Sequence, residues 1–205
     1  NGNYAGDYGG GMANDGTIMI NDCTLSDNRG EFAAGVLLNG FTEGASLTVN
    51  NSTLSGNTTQ LHGGGIANIG GQAVITNSTL SGNSGTTAGA INNRLAILEI
   101  KNTALNRGDF GPNILNDSGT VISHGHNISS DNADGLLTGP GDQINTDPML
   151  APLQDNGGPT LPQALLPDSP AIDAGDPNFI PPPFFDQRGT PFVRVFNGRL
   201  DIRSF

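Results

Sequence analysis

The stretch VNNSTLSGNT, residues 49–58, returns as ITNSTLSGNS at residues 75–84. A related copy, INDCTLSDNR (20–29), precedes them, and a worn one, IKNTALNRGD (100–109), follows. Aligned on Leu25, Leu54, Leu80 and Leu105, the copies step by 29, 26 and 25 residues, and Ile128 extends the series at a step of 23. A second marker keeps pace: GGGM (9–12), AAGV (33–36), GGGI (63–66), AGAI (88–91) and GPNI (111–114). Its last residues, Met12, Val36, Ile66, Ile91 and Ile114, step by 24, 30, 25 and 23. Repetition at this period is the signature of a solenoid.

Within each cycle, apolar residues alternate with polar ones: Ile18 and Ile20, Leu47 and Val49, Ala73 and Ile75, Leu98 and Ile100. Period-two alternation marks a half-buried strand. Asp22, Asn51, Asn77 and Asn102 stand three residues before each Leu and suit a bend. Small residues follow them: Cys23, Ser52, Ser78 and Thr103. A unit of this length holds short strands and Gly/Asn corners but no ordinary helix, and it cannot bury an apolar face alone. Stacking on copies of itself solves that problem, with parallel strands about 4.8 Å apart. The predicted fold is therefore all-β: a parallel β-helix of about five coils over 1–130. Leu25, Leu54, Leu80 and Leu105 should form one buried column.

Two sets of Asn recur in register: Asn28, Asn57 and Asn83, and Asn14, Asn68, Asn93 and Asn116. Stacked amides bond along a ladder, so these read as structure and not as a ligand site. Cys23 shares the Ser/Thr column and reads as small and inward; with no second cysteine, it forms no internal disulfide. Extra residues around GFTEGAS (40–46) and NTTQLHG (57–63) are expected on external loops, where repeat proteins often bind partners.

After about residue 130 the repeat stops. Residues 131–205 are rich in Pro and Gly and read as an irregular cap packed on the last coil, because open β-helix ends expose strand edges and core. Here NTDPMLAPLQDNGGPTLPQALLPDSPAIDAGDP (145–177), DQRGTP (186–191) and LDIRSF (200–205) closely resemble the C-terminal part of bacterial choice-of-anchor Q domain proteins. The GGGI and LSGN elements are similar to the repeats of polymorphic outer membrane proteins, with Leu at the Phe position. The resemblance implies a right-handed β-helix, secreted or held at the bacterial cell surface. It implies no particular biochemical activity.

The net charge of −11 argues against a nucleic-acid partner or an anionic membrane surface. No run of 18 apolar residues is present. The sequence opens inside a repeat, so residue 1 is read as an excerpt or processing point. An uncovered N-terminal coil would favour self-association or filament growth.

Catalysis on a β-helix needs carboxylates in adjacent coils, or carboxylates on Ca²⁺ with a basic group. Asp27 aligns with Gly56 and Gly82, and Glu99 with Met19, Thr48 and Val74, so no column stacks two carboxylates. Arg94 and Lys101 show no carboxylate partner in neighbouring coils. DNADG (131–135) is a degenerate Ca²⁺ loop, with Ala133 at a ligand position, and reads as a turn. His124 and His126 are placed to share a face but lack a third ligand. Asp155–Gly158 is read as a tight turn. Asp173, Asp176, Asp186 and Asp201 are expected to accept backbone hydrogen bonds in the cap.

No catalytic, cofactor or metal residue is assigned, and Ca²⁺ is the one ion weighed. The expected role is that of a non-catalytic extracellular structural or adhesive rod, with further copies or a surface glycan as partner. The alternative is a carbohydrate-active β-helix, lyase-like, hydrolase-like or glycan-binding, with its active part in coils upstream of residue 1.

Overall fold

The computed structural model describes residues 1–40 and 44–205. The chain is a parallel β-solenoid of about five coils. Each coil contributes one strand to each of three parallel sheets. The first sheet stacks Met12–Asn14, Leu37–Asn39, Ile66–Ile69, Ile91–Arg94 and Ile114–Asp117. The second stacks Thr17–Asn21, Ser46–Asn50, Gln72–Thr76, Ile97–Lys101 and Thr120–Ser123. The third stacks Thr24–Ser26, Thr53–Ser55, Thr79–Asn83, Ala104–Arg107 and Ile128–Ser129. We number the coils one to five in that order. Short strands at Tyr4–Ala5, Arg29–Gly30 and Thr58–Thr59 pair at the corner that leads from the third sheet back to the first.

The predicted Leu column exists. Leu25, Leu54, Leu80 and Leu105 are paired in successive coils, and the last three are fully buried. Leu25 in coil one is only partly buried but packs on the same core. That core is aliphatic throughout, from Ile20 and Leu37 to Ile114.

Two register assignments are corrected. Leu37, not Val36, pairs with Met12 and Ile66. Ile128 pairs with Ala104, and Ser129 takes the place beside Leu105. A one-residue shift in a strand moves a side chain to the other face. Ile128 therefore points outward and belongs to the column Thr24, Thr53, Thr79, Ala104.

The corner residues behave as their chemistry requires. Asp22, Asn51, Asn77 and Asn102 all have φ between 47° and 52°, the left-handed region that Asn and Asp tolerate best among residues with a Cβ. His126 occupies the equivalent bend in coil five with φ of 54°. The Gly marker has a steric cause. A Cβ on Gly35 would lie 2.0 Å from the Gly64 carbonyl oxygen, and one on Gly64 would lie 2.4 Å from the Ser84 nitrogen. Backbones of adjacent coils approach too closely there for a side chain.

Three ladders run along the stack. In the first, Asn14 donates through Nδ2 to Asn39 at 2.7 Å, Asn39 to Asn68 at 2.8 Å, Asn68 to Asn93 at 2.8 Å and Asn93 to Asn116 at 2.7 Å. Asn39 joins this ladder as a consequence of the corrected register. In the second, Asn3 donates to Asn28, Asn28 to Asn57 and Asn57 to Asn83, at 2.9, 2.9 and 2.8 Å. In the third, Ser52, Ser78 and Thr103 donate their hydroxyls to the carbonyl two residues earlier at 2.8, 2.7 and 2.9 Å. The Cys23 thiol does the same to Asn21 at 3.0 Å.

Carboxylates end two runs of donors. Asp142 accepts from the backbone and side-chain nitrogens of Asn127 at 2.8 and 2.9 Å. Asp131 accepts from the Asn113 backbone at 2.8 Å and from Ser129, Ala133 and the Asn113 amide. An ionised carboxylate is an acceptor only, so it closes a ladder without requiring a further partner. The DNADG stretch is thus a turn around Asp131, with a short 3₁₀ segment at Ala133–Gly135.

Only the first part of residues 131–205 covers the last coil: Ala133, Leu136 and Leu137 pack against the core, and Gln143 bridges to Ile128. The expectation placed the whole segment there. The rest turns back along the flank. His126 Nδ1 meets the Ala174 carbonyl, Asp176 N–H donates to Asn102, Asn51 donates to the Phe185 carbonyl, and Gln187 reaches Cys23. Leu161 first accepts from Thr24 of coil one, and from residue 174 to residue 187 the tail then meets coils five, four, two and one in turn. A second pass buries Ile202 with Ala104, Ile128 and Ala171, and brings Ser204 to Thr79 and Thr53. This strap covers the outward face of the third sheet.

Candidate functional site

Loops close part of another face. Ala33 and Ala34 pack with Leu38 and Ala67 on the outside of the first sheet, and His62 Nδ1 meets the Asn92 amide at 3.1 Å. Burial, helped by Arg94, lowers the His62 pKa. With the third sheet under the strap, two open surfaces remain to be weighed: the outer face of the second sheet and the corner before the first.

The corner carries rings. Every described aromatic residue of the coils stands exposed there: Tyr4 63%, Tyr8 54%, Phe32 52% and Phe110 69%, with Leu61 at 44%. Backbone pairing places Tyr4 and Tyr8, Phe32 and Leu61 on consecutive turns and Phe110 two turns beyond Leu61, past Thr87. Phe32 N–H donates to the Asp7 carbonyl, Ala34 bridges to Gly63 and Gly63 to Ala88, Thr87 N–H donates to the Leu61 carbonyl, and Gly85 N–H to that of Phe110. The rings are held by backbone ladders and not by core packing. The Tyr4 hydroxyl donates to the Glu31 carboxylate, which raises the Tyr4 pKa. The 57–63 segment lies on this external corner, as expected. In the 40–46 stretch, Phe41, Thr42 and Glu43 lie outside the described residues.

The second sheet presents Met19, Thr48, Val74, Glu99 and Ile122 in one outward column. The tail residues Asp176–Pro183 wall one side and leave a groove of about 560 Å³ lined by Met19, Thr48, Thr76, Lys101 and Phe179. Two ion pairs lie on this face. Lys101 Nζ is 2.7 Å from Asp176 Oδ2, and His124 Nε2 is 2.9 Å from Glu99 Oε2. The Lys101 hydrogen bond holds the Asp176 carboxyl below the ordinary range, against the opposing effect of burial. Glu99 also accepts from Gln72 at 3.1 Å.

These pairs revise the sequence reading. Arg94 does have a carboxylate in the neighbouring coil, Asp117 at 3.2 Å, which the strand register sets directly beside it. Lys101 is paired from the tail, a contact that repeat alignment cannot show. His124 and His126 have separate partners, Glu99 and the Ala174 carbonyl. Asp27 and the aligned Gly56 and Gly82 all take positive φ, so the aspartate fills a corner position. Asp155 accepts from Gly157 N–H at 2.9 Å, which closes the turn. Asp176, Asp186 and Asp201 each accept a backbone N–H at 2.8 Å, from Asn178, Arg188 and Asp173 respectively. Among the described residues, no three His, Cys, Asp or Glu side chains group as metal ligands.

The sequence reading missed an arginine cluster in the tail. Arg188 clasps Asp186 through Nε and Nη2, the latter at 2.6 Å, and Arg203 Nη2 meets Asp201 Oδ2 at 3.0 Å. The Phe205 ring lies between Arg188 and Arg203, 4.3 Å from each guanidinium carbon. Arg194 is buried and donates through Nη2 to the Arg203 carbonyl. The available signal was compositional: four of the eight cations of the chain fall between residues 188 and 203.

No family model, characterised protein or solved structure matches the chain.

Proposed function

We propose that the chain is a non-catalytic module of the bacterial cell surface, a β-solenoid rod that adheres through its exposed corner. The observation that carries this reading is the placement of the rings. Phe32 and Phe110 lie outside the aliphatic core and stand exposed on one edge of the solenoid. Exposed rings aligned on a stiff support offer flat apolar contact at little entropic cost. A surface glycan, whose sugar faces stack on such rings, is the partner this edge fits, and further copies of the chain are a second candidate. The tail motifs 145–177, 186–191 and 200–205 support the secreted location through their resemblance to choice-of-anchor Q domain proteins.

The test is retention of the chain on insoluble neutral and acidic polysaccharides, with light scattering to detect self-association. Phe32→Ser with Phe110→Ser should fold normally and lose retention. Undiminished retention of the double variant would refute the corner as the adhesive element.

One arrangement favours the alternative of a carbohydrate-active protein: Lys101 and Asp176 line the groove on the second sheet, and the Glu99–His124 pair stands on the same sheet outside it. Assays for new reducing ends and for absorbance from new double bonds, each with and without Ca²⁺, separate the two readings. Product formation that Glu99→Gln abolishes would place the alternative first.

A further inference from the structure

The groove on the second sheet has a floor and a wall of different chemistry. Its floor is an outward column, Asn21, Asn50, Thr76 and Lys101, one residue from each of coils one to four, with Met19 and Thr48 beside them. At about 4.8 Å per coil the column runs about 14 Å along the stack. Its wall is the tail, with the Phe179 ring and Ile180, which is 83% exposed. Two bonds of Asp176 fix that wall to coil four: its carboxylate accepts from Lys101 Nζ at 2.7 Å, and its N–H donates to Asn102 at 2.9 Å. Among the described residues that line the groove, Lys101 and Asp176 alone are charged, and they neutralise each other.

The floor also differs from the ladders. The Asn39 and Asn68 amides are spent on their neighbours. Among the described residues, none hydrogen-bonds to the side chain of Asn21, Thr48 or Asn178. Amides and hydroxyls can both donate and accept, so the groove offers uncharged polar groups in a row, beside apolar surface. A peptide strand would need a sheet edge to pair with, and Ser46–Asn50 and Gln72–Thr76 already have a paired strand on each side. We propose that this groove binds a neutral oligosaccharide laid along the stack. Its hydroxyls meet Asn21, Thr48, Asn50 and Asn178, and its ring faces meet Met19 and Phe179. The groove volume of about 560 Å³ lies within the range of small-ligand sites. This site stands apart from the aromatic corner and does not rest on adhesion there.

The whole chain is titrated with soluble cello-, xylo-, manno- and malto-oligosaccharides, with oligogalacturonate as the acidic comparison and a proline-rich peptide as the other class of ligand. The readout is the side-chain amide NMR signals of Asn21, Asn50 and Asn178. At least one neutral sugar should shift all three saturably, and oligogalacturonate should bind more weakly. Asn21→Ala with Asn178→Ala strands no partner inside the protein and should weaken binding about tenfold. The wild-type titration stands on its own if that variant fails to fold. Phe32→Ser with Phe110→Ser should bind the sugar with wild-type affinity, which separates this site from the corner. Shifts that never saturate with any neutral sugar, a response to the peptide alone, or an unchanged affinity in the folded Asn21→Ala, Asn178→Ala protein would overturn the proposal.

Discussion

Asn68 shows what a single ladder residue does. Fully buried, it accepts from Asn39 and donates to Asn93 and to the Ile97 carbonyl. Asn68→Ala strands a donor above and acceptors below, so it should cost at least ~2 kcal/mol in urea unfolding. Asn14 ends the same ladder in a half-buried place, and Asn14→Ala should cost under ~1 kcal/mol. Equal losses would contradict the ladder. Cys23 makes the converse case. Its thiol performs the bond of the Ser column, so Cys23→Ser should change stability by no more than ~0.5 kcal/mol. Burial, with Asp22 adding, pushes the Cys23 thiol pKa up, so alkylation near neutral pH should be slower than for glutathione. Both roles were legible because residue type recurs at fixed spacing. Asn39 was not: its coil carries Val36 and Leu37 side by side, and spacing alone does not say which of two adjacent aliphatics faces in.

At the scale of elements, the Leu column and the strap oppose each other across the third sheet. Leu54 and Leu80 fill the interior, and replacing either by Ala should cost about 2–5 kcal/mol. Ser55, the next residue along the strand, paired with Ser81 and on the outward side, should tolerate Ala with a small loss; a loss equal to that of Leu54→Ala would reverse the inside and outside of the sheet. On the far side, Gln187 accepts from Thr53 Oγ1 at 2.6 Å and donates to Thr24, Thr160 and the Cys23 carbonyl. Gln187→Ala should speed hydrogen exchange across Ser204, whose N–H is held by Thr79, while the Leu80 amide stays protected. The coils were legible because each repeats its neighbour's chemistry. The strap was not, since its contacts join residues 48 to 164 positions apart and nothing in its sequence repeats. The Thr column did hold a signal: its change from Thr24, Thr53 and Thr79 to Ala104 and Ile128 matches a covering that turns from Gln187 and Ser204 to Ala171 and Ile202.

For the whole molecule, the tail ties the coils together from five back to one, and pH should reveal one tie. Asp176 is depressed by Lys101, so its stabilising effect is complete above the ordinary aspartate value of about 3.9 and fades as pH falls through the lower folded value. Stability should drop on acidification below about pH 4, and Lys101→Met should flatten that drop. The arginine cluster and the exposed aromatic corner lie on chemistry that pattern reading passes over: unmet donors and exposure are properties of packing, and neither has a period.

The central claim is that residues after 150 strap the flank as far as the early coils and do not merely cap the last one. Thr53 Oγ1 in coil two lies 2.9 Å from Ser204 Oγ, close enough for sulfur atoms at both positions to bond. Thr53→Cys with Ser204→Cys, in a Cys23→Ser background, should therefore form an intramolecular disulfide under mild oxidation, read as a peptide pair by mass spectrometry. If both thiols stay free while the protein remains folded, the strap does not reach coil two and the account of the tail is wrong.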